Sequence, residues 1–359
     1  MTVYRVLLLL VVVAVSWLGL RGAATSAAQA GGEDVVVTVR EGTSMAIAVS
    51  PDGQQVAFDL QGTLWVVPIG GGDARRLTDE YGDIRQPDWS PDGTRLAFQS
   101  YRDGTWRIWT IRADGTGLTA VTSGPFDDRE PHWSPDGRRI AFSSDRSGNY
   151  DIWVLDVASG VVTPVTTHTG DDFFPAWSPD GSEIAFASTR SSSPGVYATT
   201  LDGAERRIAD ARGSVGAPSW SRDGRVLFTT MPITQGAGAT VPPGTPAPRA
   251  RLYLNTDVIA ADEDYVPFRA QWIDGDEFLY PADGTIKRRS LTRGALPGVP
   301  FTASLTVRLA RYARKVRDFD STTPRPALGI LRPVLSPDGT RLAFAALGDI
   351  WIQPIDGTP

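Results

Sequence analysis

A turn of the Ser-Pro-Asp-Gly type, recurring at intervals of little more than 40 residues, constrains this 359-residue chain more than any other feature. Ser50-Pro51-Asp52-Gly53, Ser90-Pro91-Asp92-Gly93, Ser134-Pro135-Asp136-Gly137, Ser178-Pro179-Asp180-Gly181 and Ser221-Arg222-Asp223-Gly224 start 40, 44, 44 and 43 residues apart, and the motif returns as Ser336-Pro337-Asp338-Gly339. Between the last two, the stretch from Trp272 through Asp274-Gly275 to Tyr280 keeps the spacing of Trp220 to Phe228 and reads as a degenerate sixth copy of seven. A period of this length means that each unit cannot bury its apolar face alone and must stack on its neighbours.

Each unit has the same internal order: a short strand ending in Trp (Trp89, Trp133, Trp177, Trp220), the turn, an apolar strand such as Arg139-Ile140-Ala141-Phe142, a third strand such as Asp151 to Leu155, and a fourth such as Val162 to Val165. Pro presets the first central angle of the turn, Asp bonds its own backbone and Gly accepts positive φ, so the tetrapeptide has a structural reason to exist. Four strands in about 44 residues is the blade of a propeller. The fold expected is therefore all-β: a β-propeller of about seven four-stranded blades, with six as the alternative. The last unit lacks a fourth strand of its own and Val35 to Val39 precede the first unit, so the N-terminal strand is expected to complete the last blade.

Two stretches break the period. Residues 231–249, rich in Gly, Pro and Thr, read as a flexible insertion between strands. Residues 301–332 form a basic insertion, in which Arg308, Arg311, Arg314, Lys315 and Arg317 lie close to Tyr312 and Phe319. That cluster is either a solvated, ion-paired loop or a docking site for an acidic partner.

Residues 1–30 have the form of a secretory signal peptide: Arg5, the apolar run Leu7 to Leu20, then Ala28-Gln29-Ala30. The run is too short to span a bilayer comfortably. The propeller is thus expected over 31–359, in the periplasm or outside the cell, with no membrane span once the leader is removed. There is no cysteine, which excludes disulfides and thiolate metal sites. The 35 basic residues are outnumbered by 41 acidic ones, the wrong balance for a global nucleic-acid binder.

The W-S-P-D-G turn, the following strand (Arg95-Leu96-Ala97-Phe98, Arg341-Leu342-Ala343-Phe344) and the D-I-W strand (Asp151-Ile152-Trp153, Asp349-Ile350-Trp351) together resemble the TolB-like propeller repeat. That resemblance implies a periplasmic, non-catalytic protein that contacts other envelope proteins. Arg314 to Asp320 and Ala345 to Trp351 are also similar to the N-terminal propeller of secreted bacterial amidohydrolases, in which such blades precede a metal-dependent hydrolase domain. This implies an alternative role, a truncated or split accessory propeller for such a hydrolase.

The residues themselves offer no catalytic constellation. Only His132 and His168 are present, too few for a hydrolytic zinc site, and Gly42-Thr43-Ser44-Met45-Ala46 leads into a strand rather than the helix of a nucleophile elbow. No catalytic residue, metal or cofactor is assigned. The candidate binding mouth is a set of recurring opposite charges in the loops that share one face of the ring: Arg102, Asp128, Arg129, Arg146, Asp172 and Arg190. They either lock neighbouring loops together or form a polar mouth for a peptide terminus, a sugar acid or a cation. The sequence thus points to an exported scaffold whose partner is another envelope or secreted protein.

Overall fold

The computed structural model describes residues 33–79, 81–190, 194–210, 214–231, 250–261, 263–309, 331–346 and 349–355, and there is no helix among them. They fall into two compact units, one of Asp34–Arg308 and one holding the C-terminal strands from Leu331 onward.

The first unit is a propeller of six antiparallel blades. Blade 1 is Ile47–Val49, Gln55–Leu60, Thr63–Pro68 and Arg75–Arg76; blade 2 is Arg85–Trp89, Arg95–Ser100, Arg107–Arg112 and Thr119–Ala120. Blade 3 is Asp128–Trp133, Arg139–Ser144, Asp151–Asp156 and Val162–Pro164; blade 4 is Asp172–Trp177, Glu183–Ser188, Gly195–Thr200 and Glu205–Asp210. In blade 5 the innermost strand is split into Ser214–Val215 and Ser219–Trp220, ahead of Val226–Met231, Arg251–Leu254 and Asp257–Ala260. The degenerate copy is blade 6: Gln271–Trp272, Glu277–Ala282, Thr285–Ser290 and Gly294–Val299.

The turns are closed hydrogen-bond systems. In blade 3, Ser134 Oγ donates to Asp136 Oδ1 (2.6 Å) and accepts from Arg139 N (2.9 Å), while Arg138 N donates to Asp136 Oδ1 (3.0 Å). Gly137 stands at φ 70°, a conformation that a β-carbon disfavours. The strand after the turn carries the core. Phe58, Phe98, Phe142, Phe186 and Phe228 occupy the same place in blades 1 to 5 and are fully buried, and Tyr280 takes it in blade 6. Side-chain alternation gives each sheet two apolar faces. Ile140 and Phe142 pack back against Ala97 and Ile108 of blade 2, whereas Ala141, Ile152 and Val154 pack forward against Trp177, Ile184 and Phe186 of blade 4.

Each innermost strand of blades 2 to 4 contains a bulge at which a residue other than glycine takes positive φ: Gln86 (53°), Glu130 (60°) and Phe174 (58°). Such backbone costs about 1–3 kcal/mol and persists only where its surroundings hold it. Here the preceding blade does so. Gln86 N donates to Asp59 Oδ2 (3.1 Å), Glu130 N to Gln99 Oε1 (2.8 Å), and Phe174 N to Ser143 Oγ (3.2 Å) and Glu130 Oε2 (2.7 Å). Asp59, Gln99 and Ser143 directly follow the core phenylalanines, so one register position in blades 1 to 3 reaches the bulge of the next blade.

The circle closes between blades 6 and 1, where Leu279 and Ile286 share a buried cluster with Ile47, Phe58 and Trp65. An extra strand, Phe301–Leu309, seals this seam. It pairs in parallel with Gly72–Asp73, a short strand between the third and fourth strands of blade 1, with Gly72 N donating to Pro300 O (2.9 Å) and Ala74 N to Thr302 O (2.8 Å). The approach is so close that a β-carbon on Gly71 would lie 2.5 Å from Pro300 O. Phe301 meets Phe58 with ring centroids 4.7 Å apart.

Two expectations change here. The ring takes the six-bladed alternative, because blade 6 meets blade 1 directly and leaves no gap for the seventh copy. That copy forms a three-stranded sheet in the second unit: Leu331–Leu335, Arg341–Ala346 and Asp349–Pro354. The N-terminal strand, Glu33–Val39, pairs with Phe301–Leu309 rather than completing the last copy, since the seam strand offers it an edge. Insertion residues 232–249 lie outside the described residues, as do Arg311, Arg314, Lys315 and Arg317 of the basic cluster; the side chain of Arg308 does too.

Two measurements test this account. Phe301→Ala should destabilise the ring by about 3–5 kcal/mol in urea unfolding, the cost of emptying a filled core position. The second concerns Asp59, whose carboxyl is pushed up to about 7 by burial, against the opposing pull of the Ala46 and Gln86 amides. An acid whose folded pKa exceeds its unfolded value contributes stability that is complete below about pH 4 and is lost as pH rises through the folded value. Burial also raises Asp88 and Asp172 to about 6, which acts in the same direction. Thermal melts from pH 4 to 8 should therefore show the wild type losing stability as pH rises, and Asp59→Asn losing less; parallel profiles would contradict the burial argument.

Candidate functional site

The innermost strands run from the face carrying the charged loops to the face carrying the W-S-P-D-G turns. At the second face the channel opens into a cavity of about 280 Å³. Its wall is a repeat product: Trp89, Trp133, Trp177, Trp220 and Trp272 end the innermost strands of blades 2 to 6, and Pro91, Pro135 and Pro179 of the turns form the rim. Its floor is polar, with Asp88, His132, Arg269 and Gln271.

The polar floor grows from one register position, the residue before Trp. Its side chain satisfies the Trp backbone amide of the following blade: Asp88 Oδ2 accepts from Trp133 N (2.7 Å) and His132 Nδ1 from Trp177 N (2.9 Å). Because Nδ1 is an acceptor, the neutral imidazole carries its proton on Nε2. Burial, aided by the nearby Arg269 cation, holds His132 well below the usual histidine range, so it stays neutral. Burial pushes Asp88 up to about 6, while Arg269 pulls the other way. Asp88 Oδ1 lies 3.9 Å from His132 Nε2 and 3.8 Å from Arg269 Nη1, an acceptor facing two donors.

Arg269 reaches beyond this cavity. It lines this cavity and also a second one deeper in the channel, beside Ala46, Gln86, Pro131 and Ala217. Nη2 donates to Pro175 O (2.5 Å), and Nε, though buried, has no hydrogen-bond partner among the described residues. Burial lowers its pKa, yet a guanidinium keeps its charge in any protein. Glu130 supplies further negative potential nearby; its carboxylate accepts from Ser143 Oγ (2.7 Å), and burial raises its pKa. The arrangement can hold a polar group by hydrogen bonds and charge. No group of three or more His, Cys, Asp or Glu suited to a metal ion occurs among the described residues.

The six residues singled out from the sequence lie toward the opposite face, and the structure pairs them within their own blades. Arg146 Nη2 donates to Asp128 Oδ1 (2.6 Å), with Nε on Ser144 Oγ (2.9 Å), and its guanidinium stacks among Phe126, Phe142 and Trp153 at 5.1–5.3 Å. One blade on, Arg190 lies 3.7 Å from Asp172, bonds Ser188 Oγ (2.8 Å) and Glu205 (2.7 Å), and stacks 4.1 Å from the Tyr197 ring. Arg102 pairs with Asp79, and Arg129 with Asp127 at 2.9 Å beside Trp106 and Tyr150. Asp88, His132, Arg269 and Gln271 are not among those six residues. The available signal was the position before Trp, where Asp88 and His132 interrupt small residues such as Ala48 and Ala176. For Arg269 it was the bulge position, where blade 6 has Arg269-Ala270 and blades 2 to 4 place Pro after the bulge residue.

Arg146→Ala should lower stability by about 3–5 kcal/mol, because it strands Asp128 in a buried place. Calorimetry should record that loss with no change in what binds at the opposite channel mouth.

Comparison with known proteins agrees with this geometry. A family model described as the TolB beta propeller domain matches residues 121–237, and one described as the Tricorn protease N-terminal beta propeller domain matches residues 45–148. Tricorn protease homolog 1 of Streptomyces coelicolor is 41% identical over 54 residues, 15% of this chain; the match spans only 5% of that relative. Among solved structures, a putative TolB from Agrobacterium tumefaciens superposes with TM-score 0.57 and 22% identity over 74% of this chain and 99% of that one. TolB from Acinetobacter baumannii gives TM-score 0.53 and 20% identity over 72% of this chain and 66% of that one. Repeat, blade register and these likenesses agree: the chain carries a TolB-like β-propeller.

Proposed function

We propose that this protein is an exported, non-catalytic propeller that docks a polar segment of another envelope or secreted protein in the channel mouth on the W-S-P-D-G face. The observation that carries the reading is Arg269, half-buried with its side chain 12% exposed, charged and with an unpartnered Nε, on the floor of an open cavity walled by five tryptophans. A cation held largely out of water without close pairing costs stability, and a ligand carboxylate or carbonyl would offset that cost on binding. Export rests on the leader-like residues 1–30, and a periplasmic or secreted location follows from it.

A second reading, an accessory propeller for a hydrolase, draws on the match to the Tricorn protease N-terminal propeller model. On that reading the docked partner is a hydrolytic domain, a metal-dependent amidohydrolase in the form the sequence suggested.

The same experiment serves both. A photo-crosslinking amino acid at Gln271, introduced in the producing cell, should trap a partner protein, and Arg269→Gln should cut the yield at least tenfold while Arg146→Ala leaves it unchanged. A trapped hydrolase selects the second reading. Equal yields from all three proteins would remove the channel mouth as the docking site.

A further inference from the structure

Between blades 2 and 3 lies a groove of about 520 Å³, which shares Pro91 and Trp133 with the channel cavity. Two residues of blade 2 set this joint apart. In the third strand, the residue opposite Ala57, Ala97, Ala141 and Ala185 is Val66, Thr110, Val154 and Ala198 in blades 1 to 4. Blade 2 alone of these has a hydroxyl there; Thr110 is 2% exposed, and its Oγ1 has no hydrogen-bond partner among the described residues. The fourth-strand residue paired with that position is Arg75, Thr119, Thr163 and Arg206 in turn. Blade 3 shares the second change, as Thr163, but keeps Val154 beside it.

The two arginines fill their own joints. Arg75 crosses to blade 2, where Nη2 donates to Ala113 O (3.0 Å) and Nη1 to Asp114 O (3.4 Å). Arg206 lies 5.7 Å from the Trp220 ring of blade 5 while it holds Glu183 of its own blade (2.7 Å). Thr119 is too short to cross, yet the receiving side of its joint is in place. Val157, whose amide bonds Arg138 O as that of Ala113 bonds Thr94 O, lines the groove, and so does Trp133, the counterpart of Trp220. The flanking turns contribute the carboxylates of Asp92 and Asp136 against one cation, Arg95. Hydrogen bonds from Ser90 and Ser134 hold both carboxyls below the usual range, so both are ionised near neutrality. Asp136 uses Oδ1 in its turn, and its Oδ2 has no hydrogen-bond partner among the described residues. We propose that this groove takes an arginine side chain presented by another protein, its guanidinium lying as those of Arg75 and Arg206 lie in their own joints. A planar fork of donors suits the Asp136 carboxylate, Thr110 Oγ1 and the backbone at Val157, with Trp133 as a stacking partner. Arg75 and Arg206 enter from the outermost strand of a blade, so the ligand is expected on a chain running along that edge. The site is independent of the channel floor, where the Arg269 cation repels the same ligand.

Titration calorimetry of the whole chain with the end-blocked tripeptide glycyl-arginyl-glycine is the test. The tripeptide should bind, and its citrulline analogue, equal in shape but uncharged, should bind at least about tenfold more weakly. Thr119→Arg, which supplies the side chain from within as blades 1 and 4 do, should abolish binding without lowering the thermal transition. Thr110→Val keeps the volume and removes the unpartnered hydroxyl, so it should weaken binding at least about threefold while the fold is no less stable. A wild type that does not bind the tripeptide overturns the proposal, as does binding that survives Thr119→Arg, which would lie elsewhere on the chain. Free arginine binding more tightly than the tripeptide overturns the protein source of the ligand.

Discussion

A buried backbone amide needs an acceptor, and in this ring the decisive amides belong to the bulged innermost strands. The bulge turns the N–H of Gln86, Glu130 and Phe174 out of its own sheet and toward the preceding blade, which answers with Asp59, Gln99 or Ser143. Three chemically different side chains serve because any of them offers an oxygen at that register. Where the series fails, the backbone takes over. Ala187 has no acceptor to give blade 5, and the corresponding amide, Ala217 N, instead bonds Pro267 O beside the blade 6 strand (2.9 Å). The bulge conformation of blades 2 to 4, and the joint each makes with the blade before it, thus depend on one repeated hydrogen bond.

The same constraint builds the channel floor. In blades 2 and 3 the residue before Trp serves the amide of the next Trp, which draws Asp88 and His132 toward the axis, where Arg269 also lies. Removal from water raises Asp88 and keeps His132 neutral, leaving the guanidinium as the floor group that stays charged at every pH near neutrality. The charged loops at the other face follow a different logic. There Arg146 and Arg190 fold back on Ser144 and Ser188 two residues earlier, and their cations are spent on aromatic rings and buried aspartates of the same blade. Like residue types at the two ends of the strands therefore do different work: packing at one, an open polar surface at the other.

The all-β class, the blade grammar, the degenerate copy at Trp272 and the closed Ser-Asp turns were legible in the residues, because each rests on interactions within a single repeat of the chain. The pairing of Asp128 with Arg146 was half legible. Recurrence showed that opposite charges would meet, but whether they meet within a blade or between blades depends on where Ser144 and Ser188 anchor the arginines.

Blade number and closure were decided in three dimensions. Seven copies are visible along the chain, yet the ring holds six, since Leu279 of blade 6 packs directly with Phe58 of blade 1 and Phe301 fills the seam between them. The seam strand itself has no repeat signature to announce it. Arg269 belongs to the same category: its neighbours in the channel, Asp88 and Pro175, are far from it in sequence, and only the closed circle brings them together. Local hydrogen-bonding and alternation, which the sequence carries by itself, determined what a blade is; long-range packing, which exists only once the ring is shut, decided how many blades there are and what stands at their common axis.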